Sequence, residues 1–240
     1  MRHDLKIDIA DFTDKASKEE RFLSLYENYD YITAYSKHTD IRVKDDPKWS
    51  IGRGDEWESH GDLQLRFLKE HGLKPESRFL DIGCGIGRAA RKIVPYLNIG
   101  NYTGMDISEQ AIDYAKKLSI GEGWISKRPE FVISNGSSVP KGQYDIIWAH
   151  SVFTHLPEQI IRDMMYSIKS VMAKNGKFLF TYKKGKDKER TGLKQFRYPF
   201  YFFEDLAKEI GLQAKPINML FPATQHTAKV LWGATGVVER

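Results

Sequence analysis

A single cysteine, Cys84, is all the thiol this 240-residue chain carries. No internal disulfide can form, and nothing argues for an oxidising compartment. Long apolar runs are missing too, since no stretch approaches the roughly 20 residues that span a bilayer. The segment Met1–Asp8 alternates charged and apolar residues rather than forming the apolar core of a signal peptide. A cytoplasmic protein with no membrane partner is the expectation. Charge of one sign is scarce: 37 basic and 32 acidic residues leave +5, too little to call for a nucleic-acid partner. Internal repeats, low-complexity tracts and Cys/His clusters with metal-ligand spacing are also absent. No metal is expected, although scattered carboxylates leave a magnesium site open.

What is present fits a globular enzyme-sized unit. With 41% hydrophobic and 29% charged residues, the chain suits one sizeable α/β domain plus an accessory segment. Residues 1–60 read as a helical cap: Glu19–Tyr35 carries Phe22, Leu23, Leu25, Tyr26, Tyr29 and Ile32 at helical spacing, and Asp45–Lys48 reads as a turn. Gly61–His71 is a helix stopped by Gly72. From Arg78 onward strand, turn and helix repeat. Strands are predicted at Arg78–Ile82, Tyr102–Met105, Phe131–Ile133, Tyr144–Ala149 and Lys177–Tyr182. Helices are predicted at Arg88–Leu97, at Glu109–Leu118 behind an N-cap at Ser108, and from Pro157 to Asn175-Gly176. A helix at Tyr201–Ile210 and strands near Leu212–Leu220 and Lys229–Trp232 complete the pattern. Repeated βα units imply a doubly wound, mostly parallel sheet covered on both faces.

The most informative stretch is Phe79-Leu80-Asp81-Ile82-Gly83-Cys84-Gly85-Ile86-Gly87-Arg88. Alternate glycines between a strand and a helix allow a tight reversal and a close backbone approach to a ligand. A dinucleotide loop spaces its glycines G-x-G-x-x-G. Here the third glycine comes one residue early, Arg88 stands where that pattern needs glycine, and Asp81 precedes the first glycine by two positions.

The run resembles motif I of the class I S-adenosylmethionine-dependent methyltransferases, and later segments are similar in order and spacing. The resemblance covers about Gly61 to the C-terminus and implies a seven-stranded, mostly parallel sheet under an N-terminal helical cap, with S-adenosylmethionine as cofactor. It implies that Asp81, Gly83, Cys84, Gly85 and Gly87 form the cofactor loop, and that Asp106, followed by Ile107, accepts hydrogen bonds from the ribose hydroxyls. A carboxylate suits that task, having acceptors and no donor. Asn135, beside Gly136, stands where the family usually has Asp to read the adenine amino group. Ala149 and His150 end the fourth strand against the cofactor.

Methyl transfer needs alignment and, for a hydroxyl acceptor, removal of a proton. His155 and His150 follow the fourth strand, and either could be that base. Alternatively, His155 bonds backbone near the helix start and His150 packs on the methionine portion of the cofactor. His226, near the last strand, could shape the acceptor pocket. The basic insertion, about 183–200, carries seven basic residues against two acidic ones between Lys183 and Arg197, an excess equal to the entire net charge. It reads either as a solvated loop or as an acceptor-binding segment in which Arg190, Arg197 and Tyr198 hold an anionic group. No D/N-P-P-Y loop follows the fourth strand, and Cys84 lies inside the cofactor loop, so a base methyltransferase is disfavoured. The sequence therefore points to methylation of O or N on a small, anionic metabolite, a carbohydrate or capsule-type precursor or a phosphorylated compound. An RNA or protein methyltransferase, or a non-catalytic S-adenosylmethionine-binding protein, is the alternative. The oligomeric state is not legible.

Overall fold

In the computed structural model the described residues are 15–50, 56–217 and 234–239, and every structural statement below concerns them. The chain runs α1 (Lys15–Asn28), α2 (Tyr31–Asp45), α3 (Pro47–Ser50) and α4 (Trp57–Glu70) before the first strand. It continues with β1 (Phe79–Ile82), α5 (Ala90–Tyr96), β2 (Tyr102–Asp106), α6 (Glu109–Gly121), β3 (Glu130–Ile133), β4 (Tyr144–Ala149) and α7 (Glu158–Val171). After β5 (Met172–Tyr182) come the hairpin β6 (Glu189–Gly192) and β7 (Gln195–Arg197), α8 (Phe200–Glu209), β8 (Gln213–Ile217) and β9 (Ala234–Glu239).

The seven-stranded sheet has the order β3-β2-β1-β4-β5-β9-β8. Strands β1 to β5 pair in parallel, and β9 runs antiparallel to both β5 and β8. The order reverses between β1 and β4, which opens a crevice at their carboxyl ends, the usual ligand position in such sheets. Strand β1 and strand β2 are buried throughout, as strands covered on both faces must be. Helix α7 packs Ile161, Met164, Met165, Ile168 and Val171 on one side of the sheet, and α4 and α5 bury Phe67, Leu68, Ile93 and Val94 on the other.

Local chemistry explains several boundaries. The helix expected over Glu19–Tyr35 is broken in two, because the Asp30 carboxylate accepts from the backbone N–H groups of Ile32 and Thr33, both at 3.1 Å, and starts a new helix. Ser108 caps α6 as expected, accepting from Ala111 N at 3.0 Å. Asn175-Gly176 does not end α7: that helix stops at Val171, and the pair lies within β5, beside a register irregularity between Tyr144 and Ile146. The strand expected at Lys229–Trp232 lies outside the described residues, and β9 closes the sheet. The basic segment holds the hairpin β6–β7 where the sequence suggested an irregular insertion.

The cap crosses the carboxyl ends of the central strands. The Tyr31 hydroxyl donates to the His155 carbonyl at 2.5 Å and Ser36 Oγ to the Ile107 carbonyl at 2.9 Å. The Asp40 carboxylate accepts from Ser108 Oγ at 2.6 Å and from Gln110 N at 3.2 Å. Val43 packs on Trp57, Ile86 and Ala111. Helix α4 spans the expected cap boundary at residue 60 and packs into the core. None of the described helices is long and apolar enough to cross a membrane.

Candidate functional site

A cavity of about 330 Å³ lies beneath α2 at the ends of β1, β2 and β4, within the range of small-molecule sites. Its floor is the glycine loop. Gly83, Gly85 and Gly87 have φ of +70°, +56° and +89°, left-handed values that side-chain-bearing residues adopt at a cost. A Cβ on Gly83 would stand 2.5 Å from Val152 Cγ2. The loop is fixed to β2, since Gly83 N and Cys84 N both donate to the Met105 carbonyl, at 2.8 and 3.0 Å. Gly87 faces Ala115 and Leu118 of α6 and supports the loop from behind. Cys84 is buried, and burial pushes its thiol well above the ordinary value; it is packing, not a nucleophile.

Asp106 ends β2 with both carboxylate oxygens oriented by backbone. Gly85 N donates to Oδ2 and Ser108 N to Oδ1, each at 2.9 Å. A carboxylate oxygen can accept more than one hydrogen bond, and Asp106 lines the cavity. Burial raises its pKa, against the lowering effect of those donors. Asp81 is also buried, accepts from the Tyr102 hydroxyl at 2.8 Å, and is pushed up to about 7 by burial. Arg88, the residue that breaks the dinucleotide pattern, is buried in the cavity wall. Desolvation brings its guanidinium down to about 10, while the charges of Glu56 and Asp81 hold it up. A buried cation is thereby built in at the end of the loop.

The two candidate histidines both line the cavity but have different neighbours. His150 lies near Arg88 and His60, and burial followed by those charges lowers it to about 3. The His155 ring Nδ1 stands 2.7 Å from the Lys194 carbonyl. A carbonyl can only accept, so Nδ1 carries the proton and Nε2 keeps its lone pair. Tyr35 stacks on this ring at 5.6 Å. Burial brings His155 down to about 4, with the cations Lys194, Lys183 and Arg42 contributing. His155 is therefore neutral at pH 7, with its free nitrogen unprotonated.

The other expected site residues divide between the cavity and its surroundings. Ile107 lines it, but Ala149 is core at the end of β4. Ser134 and Gly136 line it while Asn135 between them does not; the Asn135 side-chain oxygen accepts from Ser137 N, Ser138 N and Ser138 Oγ at 2.8–3.2 Å and holds a turn. Arg190 lies over the Tyr26, Tyr31 and Phe196 rings at 5.6–5.9 Å and donates to the Gly192 and Leu193 carbonyls, fastening the hairpin to the cap. Arg197 is exposed and 3.7 Å from Glu189. Tyr198 is buried, and its hydroxyl donates to the Leu156 carbonyl at 2.7 Å. His226 lies outside the described residues.

The cavity also recruits Tyr35, Thr39 and Arg42 from α2, His60 and Gln64 from α4, Lys183 from the start of the basic segment and Lys194 from the turn of its hairpin. Tyr35, Thr39 and Arg42 fall at i, i+4 and i+7, one helical face, so their grouping was readable in the sequence. Lys194 was not, because residue type does not separate it from six neighbouring cations. Ser151, which lines the cavity after β4, has φ of +62° and is held by a 2.7 Å bond from its N–H to Thr181 Oγ1. Left-handed backbone at a residue other than glycine is uncommon and gathers at functional sites.

Comparisons with known proteins agree with this geometry. Residues 80–178 match a methyltransferase-domain family. A sterol 24-C-methyltransferase of Gibberella zeae is 29% identical over 109 residues, 45% of this chain and 28% of the relative. A 2-methyl-6-phytyl-1,4-hydroquinone methyltransferase of Synechocystis is 29% identical over 91 residues, 37% of this chain and 27% of the relative. The chain thus spans about a quarter of the length of these curated relatives. Among solved structures, magnesium protoporphyrin IX methyltransferase from Synechocystis with bound S-adenosylmethionine superposes with a TM-score of 0.67 at 15% identity, covering 88% of this chain and 98% of that one. The chain therefore shares the fold of the class I S-adenosylmethionine-dependent methyltransferases.

Proposed function

We propose that this chain transfers a methyl group from S-adenosylmethionine to an oxygen or nitrogen of a small anionic metabolite, a sugar or phosphorylated compound being the favoured class. The observation that carries the reading is Asp106: a buried carboxylate, oriented by Gly85 N and Ser108 N, beside a left-handed glycine loop. These features suit a ribose diol, whose hydroxyls donate to a carboxylate. Arg88 after the loop and His60 of α4, both lining the cavity, suit the carboxylate of a methionyl group. The reading also draws on the methyltransferase relatives and on the neighbouring fold that holds this cofactor.

When bound, S-adenosylmethionine supplies an electrophilic methyl group on a positively charged sulfur. In the reading proposed here, α2 and the loop Ser151–His155 align the acceptor opposite the departing sulfur. A hydroxyl oxygen of the acceptor forms its bond to the methyl carbon as the carbon–sulfur bond breaks, with that bond's electrons passing to sulfur. The hydroxyl proton passes to His155 Nε2, the nitrogen left unprotonated by the bond to Lys194. In the aromatic run after the hairpin Tyr198, Phe202 and Phe203 are buried while Tyr201 is exposed, so the run presents no continuous stacking platform, which favours a small acceptor over RNA.

The test is transfer of labelled methyl from S-adenosylmethionine to a panel of sugar phosphates, sugar acids and uncharged sugars, with RNA as comparator. Label on an anionic small molecule is the expected outcome. Label on RNA alone, or none on any acceptor when S-adenosylhomocysteine binds, would overturn the reading.

A further inference from the structure

The cavity is electrically lopsided. Its carboxylates, Asp81 and Asp106, both lie at the glycine-loop end, whereas Arg42, Lys183 and Lys194 line the wall around His155. Lys183 donates to Gln195 Oε1 at 2.8 Å. Arg42 gives one N–H to the Trp49 carbonyl at 2.9 Å. Neither Arg42 nor Lys194 takes part in an ion pair among the described residues. The Lys194 ammonium stands 5.5 Å from the Tyr35 ring centroid, and Tyr35 stacks on His155.

Two cations facing one cavity, neither ion-paired with a described carboxylate, are a poor arrangement when nothing lies between them. Burial and then the charge of Arg42 bring Lys194 down to about 7. Like charges in a wall of reduced dielectric repel, and an anion between them reverses the sign of that interaction. A guanidinium with spare donors and an ammonium of three suit the oxygens of a carboxylate or phosphate.

Resting on the methyl-transfer reading, we propose that Arg42 and Lys194 form an oxyanion site that grips a carboxylate or phosphate of the acceptor beside His155. The site joins α2 of the cap to the turn of the β6–β7 hairpin, so acceptor binding draws the two together. It also tunes the base. The titratable and charged groups near His155 are Tyr31, Tyr35, His38 and Arg42 of α2, Lys183 just after β5 and Lys194 in the hairpin turn, and the cations among them add to the effect of burial in holding the imidazole down. Burial sets most of the lowering, and an oxyanion seated among those cations offsets their share of it, so His155 gains basicity when the acceptor is in place.

The experiment first measures S-adenosylhomocysteine affinity by calorimetry. The protein is then titrated with inorganic phosphate and, separately, with acetate, at constant ionic strength balanced with chloride, following the His155 imidazole by ¹⁵N NMR. Saturable binding of one oxyanion is expected, with an upward shift of the His155 titration. The affinity should fall at least tenfold in Lys194→Met and in Arg42→Met, and stay within twofold in Lys186→Met. The oxyanion that saturates names the group. A response that only follows ionic strength, or equal affinity in Lys194→Met, would overturn the site. Failure of S-adenosylhomocysteine to bind would instead count against the cofactor reading, and the oxyanion titration of the same protein still decides this one.

Discussion

At His155 the orientation of one ring is set by another residue's backbone. The Lys194 carbonyl fixes the proton on Nδ1, and burial with three nearby cations keeps the imidazole neutral, down to about 4. The folded value lies below the ordinary one, so folding favours the neutral ring. Its contribution to stability is full above about 6.5 and is lost as pH falls toward 4. In the free protein, ¹⁵N NMR should show His155 with an unprotonated Nε2 at pH 6; a titration midpoint near 6.5 would contradict the described environment. Once an acceptor is identified, His155→Gln should lower turnover on the order of 10²- to 10⁴-fold, the usual worth of a positioned base, with S-adenosylhomocysteine affinity kept. Unchanged turnover would remove it as the base. Gly83 is a second residue-scale test: φ of +70° and Val152 Cγ2 at 2.5 Å leave no room for a Cβ. Gly83→Ala should therefore displace the loop and weaken S-adenosylhomocysteine binding, as calorimetry would reveal.

Among the elements, α8 and the hairpin before it show most clearly where composition misleads. The run Tyr198, Phe200, Tyr201, Phe202, Phe203 has the composition of a stacking surface, although packing on the sheet is the commoner use of such a run. The register of α8 decides it: Phe203 is buried against Phe153 and Phe180 at ring separations of 5.7 and 4.7 Å, whereas Tyr201 points outward. Phe203→Ala should cost roughly 3–5 kcal/mol, the price of emptying a packed aromatic position, and Tyr201→Ala almost nothing; thermal denaturation measures both. Strand and helix periodicity told apart the parallel strands and the amphipathic α7, because those patterns depend on local spacing alone. The strand Tyr144–Ala149 is found at its expected bounds. Periodicity missed the break at Asp30, where a capping carboxylate overrides a continuous apolar face, and it missed the β6–β7 pairing, which links residues with no apolar alternation. Motif spacing located Asp81, Gly83, Gly85 and Asp106 on the cavity, because a turn carries its geometry in its glycines. Charge composition could not locate the cations that face it, because only the hairpin's pairing turns Lys194 inward and Arg197 outward.

For the whole molecule, the cap and the sheet form one site. Asp40 holds the residues that follow Asp106, Tyr31 holds the backbone of His155, and Ser36 holds that of Ile107. The helix covering the cavity is thus tied by hydrogen bonds to both ends of it, and each net bond is worth about 1 kcal/mol. Asp40→Ala should therefore do more than loosen the cap: by freeing Ser108 and Gln110 it should weaken S-adenosylhomocysteine binding several-fold, and undiminished affinity in calorimetry would show that the cap does not organise the site. The central claim is that this cavity holds S-adenosylmethionine through Asp106. Calorimetric titration of S-adenosylhomocysteine into the wild-type protein and into Asp106→Ala tests it most directly. One-site binding to the wild type and loss of at least 10²-fold in the variant are the predicted results; no binding to the wild type, or equal affinity in the folded variant, would contradict the account.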